Sequence, residues 1–302
     1  MFFFKPLTSR IVPKTKSAAV RLKNLCPERL CQANVPRVVS EIAQPMDAIA
    51  NPRRDAGEAI AVENLVKRYR DVVAVDGITF TVPQGSFTAL LGGNGAGKTT
   101  TIAMMLGLVL PTAGRIVILG QDFATHAKSL LAQMNFQSPY ADLPRRLTVR
   151  QNLKIYARLY GVTAVKDRIA LLARELDLES LLDRPLGELS AGQRTRAGLA
   201  KAFINRPRIV LLDEPTASLD PDTADWVRAF LSRYAQEAGA TFLIASHNML
   251  EVERLCDRVL MMKQGRIVDS GSPKELLAKY GRTNLEDVFL DVARRGPLEV
   301  AK

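Results

Sequence analysis

The stretch GGNGAGKT, residues 92–99, has the form Gly-x4-Gly-Lys-Thr. It follows the apolar run FTALLGG, residues 87–93, and precedes a helix-like stretch. That strand-to-helix context gives the spacing its meaning. Glycines let successive backbone N–H groups converge on phosphate oxygens, and a helix N-terminus adds positive potential. In this reading Gly92, Asn94, Gly95, Ala96, Gly97, Lys98, Thr99 and Thr100 form a nucleotide cradle. Lys98 reaches the β- and γ-phosphates, and the Thr99 hydroxyl ligates Mg²⁺. The competing reading is an ordinary Gly-rich turn between a strand and a helix.

Downstream, RIVLLDEP, residues 208–215, runs four apolar residues, Ile209–Leu212, into Asp213-Glu214-Pro215. Carboxylates at the carboxyl end of a buried parallel strand lie where open α/β sheets place their ligand crevice. Asp213 is expected to hold Mg²⁺ through water. Glu214, one residue closer to the γ-phosphate, is expected to polarise the attacking water. A solvated turn before a helix is the alternative. These two motifs alone specify a P-loop NTPase and nothing finer.

The pattern around them predicts an α/β fold. Short β-rich runs come first: AIAVENLVKRY at 59–69 and ITFTV at 78–82, then the strand GRIVILG at 114–120. Early strands without intervening helices predict an antiparallel side sheet. From the phosphate loop onward, strands alternate with helices, which predicts a parallel core. Thr148–Gln151 and Ser190–Gln193 both read as capping boxes opening helices. Residues about 140–200 therefore read as an inserted α-helical subdomain, with 163–183 as further helix. RVLMMKQGRIVDSG, residues 258–271, reads as a hairpin around Gln264-Gly265. The expected architecture is a P-loop NTPase core with a mixed sheet, an antiparallel β side sheet and a helical insert.

The chain has 302 residues and a net charge of +11, with 47% apolar and 24% charged residues, ordinary for a globular protein. No run of roughly 18 apolar residues is present to span a membrane. The basic excess is concentrated early: residues 1–45 carry eight Lys or Arg against Glu28 and Glu41. Basic character therefore says little about nucleic acid for the folded part. Prolines at 6, 13, 27, 36, 45 and 52 interrupt any helix there. Residues 1–57 read as a basic, disordered tail. Three explanations stand: a basic arm, a targeting segment, or a stretch ahead of the working start at Met46, which is favoured. Residues 295–302 read as a C-terminal tail. Cys26, Cys31 and Cys256 form no disulfide framework, which points to a reducing compartment.

Six motifs in order make residues 58–294 resemble the ATP-binding cassette (ABC) ATPases. They are Tyr69, GGNGAGKTT at 92–100, Gln137, LSAGQ at 189–193, IVLLDEP at 209–215 with SLD at 218–220, and His247. The resemblance implies two cassettes facing head to tail, with two ATP molecules between them. Each ATP is then held by one phosphate loop and covered by the other subunit's Ser190, Gly192 and Gln193. It further implies that Tyr69 stacks on adenine, that Gln137 meets Mg²⁺ and the attacking water, and that His247 acts as a switch on the γ-phosphate. Asp220, before Pro221, reads from the residues as an N-cap with Pro in the first helical position; the resemblance implies in addition a contact across the dimer, and both roles are expected. From the residues alone, Ser190 is a helix cap, Tyr69 a core aromatic, Gln137 a polar loop residue and His247 a structural histidine. For Ser190 both roles are expected: it caps its helix without nucleotide and turns its donors outward to the partner's ATP. Ala191 stands where the family usually has Gly, and Gly93 where Pro is frequent.

The stretch NLEDVFLDVAR, residues 284–294, resembles the C-terminal helix of ATPases serving two-part exporters of drugs, lipids, polysaccharides or nodulation factors. The expectation is thus an ATP-hydrolysing subunit of an ABC exporter, using ATP and Mg²⁺. It would energise separate integral membrane permease subunits as a cassette dimer, a homodimer, on the cytoplasmic side of a bacterial inner membrane. No nucleic-acid partner is expected. The alternative is a soluble ABC ATPase acting on the ribosome or DNA. Only 92 residues separate Lys98 from Ser190, with no Cys cluster between them. That spacing leaves no room for the coiled-coil or zinc insert of DNA-repair relatives.

Overall fold

Three strands buried at every residue organise the molecule: β3 (Phe87–Leu91), β7 (Ile209–Asp213) and β8 (Thr241–Ser246). Their near-continuous apolar runs fit parallel strands covered on both faces. The computed structural model describes residues 57–138, 143–217 and 219–295. The expectations for the two tails, the Met46 start included, and for Ser218 fall outside these residues.

The main sheet has the order β10-β9-β3-β8-β7-β6, with β6 (Met134–Gln137), β9 (Arg258–Lys263) and β10 (Arg266–Gly271). All neighbours pair in parallel except β9 and β10, the anticipated hairpin. Gln264 and Gly265 both have positive φ, 49° and 78°, as a tight two-residue hairpin turn demands. A second sheet, wholly antiparallel, has the order β2-β1-β4-β5. Its strands are β1 (Glu58–Tyr69), β2 (Val72–Pro83), β4 (Ala113–Ile118) and β5 (Gln121–Asp122). The mixed core sheet and the antiparallel side sheet are thus both present.

Strand alternation sorts the core into two clusters. Leu90, Leu211, Leu243 and Leu260 point toward the side sheet, α1 (Lys98–Met105) and α2 (Phe123–Leu131). Ala89, Leu212, Ile244 and Val259 point to the other face. There they meet α3 (Val149–Leu159), α4 (Val165–Glu175), α5 (Ala191–Ala202) and α6 (Pro221–Ala238). The same cluster takes in α7 (Met249–Leu255), α8 (Pro273–Tyr280) and α9 (Leu285–Arg295).

Both anticipated capping boxes form, at Thr148/Gln151 and Ser190/Gln193. The stretch 163–183 is helical, as anticipated, but in two pieces. Helix α4 stops at Glu175, Asp177 turns left-handed at φ 50°, and a single 3-10 turn follows at Glu179–Leu181. That turn buries Leu178 completely, which a straight continuation of α4 would not arrange. Helices α2 and α8 were not anticipated, although α8 opens with a third capping box, Ser272/Glu275, with Pro273 in its first turn.

Candidate nucleotide site

The phosphate loop bridges β3 and α1, and two of its glycines, Gly92 and Gly97, are sterically required. A Cβ on Gly92 would lie 2.6 Å from the Met262 carbonyl oxygen. Gly97 has φ 105°, and a Cβ there would lie 2.6 Å from the Ala74 carbonyl oxygen. Gly97 caps α1 without any side-chain hydrogen bond, so the first N–H groups of that helix stay available to an anion. Lys98 folds back over the loop, its Nζ donating to the Gly92 carbonyl at 2.6 Å and the Gly93 carbonyl at 3.2 Å. Asn94, Gly95 and Thr99 are exposed, and Thr100 is half-buried. Ala96 is buried, and its carbonyl accepts from Gly265 N–H.

Asp213 ends β7, and Glu214 follows with a left-handed backbone, φ 52°. The Glu214 N–H donates to the Ala245 carbonyl at 2.9 Å, which ties this turn to β8. Its carboxylate Oε1 accepts from the His247 N–H at 3.1 Å and faces His247 Nδ1 at 2.6 Å. Burial and the neighbouring Glu214 charge push the Asp213 carboxyl up, and Lys98 pulls it back. Burial lowers Lys98, and Glu214 and Asp213 oppose that shift. The structure thus gathers Lys98, Asp213 and Glu214 into one electrostatically coupled group, with His247 on the Glu214 carboxylate.

Gln137 ends β6 and is almost buried. Its side chain lies against Gly198 of α5, where a Cβ would fall 2.5 Å from Nε2. Tyr69 ends β1 and is 45% exposed, with Lys67 Nζ 4.9 Å above its ring. It is not a core aromatic, and its position leaves the ring free to stack.

The Ser190 turn is a separate structure. Ser190 Oγ accepts from Gln193 N–H at 3.2 Å, and Gln193 Oε1 accepts from Ser190 N–H at 3.0 Å. Both bonds stay inside the turn. Gly192 abuts Thr223 of α6, 3.3 Å from an added Cβ to its methyl. Asp220 caps α6, accepting from Thr223 N–H at 2.9 Å and its hydroxyl at 2.7 Å. One turn further along α5, the Arg196 guanidinium sits 4.6 Å above the Trp226 ring and pairs with Asp177 at 2.6 Å.

Four residues around this site were not anticipated. Glu251 is 1% exposed and accepts from the Thr216 hydroxyl at 2.8 Å and the Ser246 hydroxyl at 2.9 Å. Burial pushes its carboxyl up, and those hydroxyls pull it back. The only local signal, Asn248 three residues before Glu251, suggests a helix cap and nothing inward-facing. Phe289 of α9 is the fourth, approaching to 4.0 Å of a Cβ built on Gly93. It lines a cleft of about 230 Å³ with Gly93–Ala96, Met262 and Val292.

The ABC transporter family matches residues 75–217. The Nod factor export ATP-binding protein I of Rhizobium sp. (strain N33) is 35% identical over 76% of this chain and 76% of its own. The chain belongs to the ABC transporter ATP-binding family. A second Nod factor export ATP-binding protein I, from Burkholderia orbicola (strain AU 1054), is 39% identical over 72% of each chain. A solved ATP-binding subunit of an ABC transporter superposes with a TM-score of 0.71 at 27% identity, covering 78% of this chain and 100% of that one. This ABC cassette is therefore an ATPase that couples hydrolysis to transport. No helix among the described residues is long and apolar enough to cross a membrane.

Proposed function

We propose that this cassette is the energy-supplying subunit of an exporter, working as a pair of identical cassettes on separate integral membrane permeases. The observation that carries the catalytic part is the Glu214–His247 pair, set at the ends of adjacent parallel strands beside Lys98. In this reading the Glu214 carboxylate accepts a proton from water as the water oxygen attacks the γ-phosphorus, and ADP leaves. Lys98 moves from the Gly92 and Gly93 carbonyls onto the phosphates. His247 orients Glu214 and contacts the γ-phosphate, and Tyr69 stacks on the adenine.

The donor set suits Mg²⁺. Asp213 is a buried carboxylate and Thr99 an exposed hydroxyl at the start of α1, the hard oxygen ligands this ion takes. Among the described residues no group of three His, Cys, Asp or Glu is placed to hold a metal ion. When bound, Mg²⁺ neutralises phosphate charge. Gln137 is the further ligand implied by the family, and it must swing away from Gly198 to serve.

The Ser190 turn makes its capping bonds within itself, and its role toward a second copy is supported by the resemblance of LSAGQ to the family's motif. Ser190, Gly192, Gln193 and Asp220 would then close over the partner's ATP. For the permease, support comes from a cleft of about 440 Å³ between the helical insert and the core, lined by Tyr160, Val162, Arg168, Leu171 and Asn205. Tyr160 OH donates to Asn135 Oδ1 at 2.9 Å, and Asn135 Nδ2 donates to Asn205 Oδ1 at 2.9 Å. Asn135 is two residues from Gln137 on β6. A helix of the permease pressed into this cleft would reach the nucleotide through one short strand. Export is supported by the names of the relatives, and the cytoplasmic face of a bacterial inner membrane is the location this reading implies.

The test is affinity purification from detergent-solubilised membranes at native expression, with mass identification of co-purifying chains. A stoichiometric polytopic partner is expected. Recovery with ribosomes or DNA-bound proteins, and none with membranes, would move the function to the soluble branch while leaving the chemistry intact.

A further inference from the structure

Ser246 has one hydroxyl proton and two carboxylates within reach. Its Oγ lies 2.9 Å from Glu251 Oε2 and 3.5 Å from Glu214 Oε2. The shorter distance assigns the proton to Glu251, and the Asn248 N–H at 3.0 Å supplies the hydroxyl's own acceptor contact. Glu251 is itself held in place, since its other oxygen accepts from the Thr216 hydroxyl at 2.8 Å, in the turn that follows Glu214. A carboxylate that must take up a water proton is weakened by every donor already on it. Glu214 carries His247 on Oε1 only, and Oε2 stays open while Ser246 points elsewhere.

We propose that Glu251 is a positioning residue for hydrolysis: it captures the Ser246 hydroxyl proton and so keeps Glu214 Oε2 open to accept the proton of the attacking water. The inference rests on Glu214 being the base. It adds a buried carboxylate that touches neither nucleotide nor water and acts through Ser246.

Glu251→Met keeps the length of the side chain and removes both acceptor oxygens. The Ser246 hydroxyl then turns to Glu214. The expected result is a kcat at least tenfold lower with ATP Kd within threefold, in a protein with an intact thermal transition. Adding Ser246→Ala removes the diverted donor and is expected to recover most of the lost kcat. Glu251→Gln, which retains one acceptor oxygen, is expected to lie between. An unchanged kcat in Glu251→Met overturns the proposal, and so does a double variant no faster than the single one. If Glu251→Met does not fold, Thr216→Val loosens Glu251 more gently. A several-fold fall in kcat at unchanged Kd is expected there, and no fall overturns the proposal.

Glu214→Gln, run alongside, tests the base assignment on its own. The chain has two histidines, so the ring ¹⁵N resonances of His247 are readily assigned with a His126→Asn control. They report the hydrogen bond to Glu214 without any turnover. They are expected to move in Glu251→Met and to return in the double variant. Resonances that stay put overturn the proposal whatever Glu214→Gln does.

Discussion

Glu214 occupies a backbone conformation that costs a non-glycine residue about 1 kcal/mol, and its own N–H bond to β8 holds it there. The carboxylate is thereby presented toward His247 and away from the strand axis. Glu214→Gln keeps that shape and loses the base. It is expected to bind ATP normally while hydrolysis falls by about a hundredfold or more, measured as phosphate release against nucleotide affinity. Normal turnover would refute the assignment. Lys98→Ala should act one step earlier and weaken ATP binding itself, read by nucleotide titration. The residue scale is where the sequence spoke most clearly: Gly-x4-Gly-Lys-Thr and Asp213-Glu214 carry their chemistry in their spacing. It was silent on Glu251, Thr216 and Ser246, because their meeting depends on three segments converging from β7, β8 and α7. No local periodicity encodes such a contact.

Helix α5 does three things at once, and its predictions separate them. Its cap is Ser190, and Ser190→Ala should cost about 1 kcal/mol of stability together with most of the ATPase activity. Stability lost with activity fully kept would leave Ser190 a cap only. Its middle is Gly198, which exists to admit Gln137. An added Cβ meets only the end of a flexible side chain. Gly198→Ala is therefore expected to shift the melting temperature little, yet to displace Gln137 and lower ATPase turnover several-fold. Its last turn carries Lys201, whose Nζ donates to the Phe136 carbonyl at 2.9 Å. Burial lowers Lys201 from 10.5 to about 8. Between those values the unfolded chain holds the proton that the folded chain has shed. The residue's contribution to stability therefore rises with pH across that window, by on the order of 3 kcal/mol. Urea unfolding of Lys201→Met should lack that rise. The capping boxes and the apolar faces of these helices were legible in advance. The break after Glu175 was not, because the left-handed turn at Asp177 and the burial of Leu178 answer to tertiary packing rather than to helix propensity.

At the scale of the molecule, the catalytic parts stand on parallel strands, while the Ser190 turn stands on the helical insert at the front of α6. In the proposed pair, that arrangement makes hydrolysis depend on assembly. Size-exclusion chromatography of Glu214→Gln with Mg·ATP is expected to show a dimer that disperses when nucleotide is removed. The same elution volume with and without ATP would argue against closure by the Ser190 turns. The α/β layering was readable from strand–helix alternation, and the side sheet from early strands lacking helices. The packing of Phe289 near the phosphate loop was not, since it joins segments almost two hundred residues apart.

The contact between Arg196 and Trp226 has a practical side. Trp226 is the sole tryptophan of the chain; it stands on α6 under the Arg196 guanidinium of the Ser190 helix and stacks on Phe230 with ring centroids 5.9 Å apart. Indole emission is sensitive to a nearby guanidinium. Selective excitation of this one fluorophore thus gives an unlabelled optical signal from the region expected to meet the other cassette's nucleotide. Stopped-flow mixing with ATP would turn the closing of the pair into a time course.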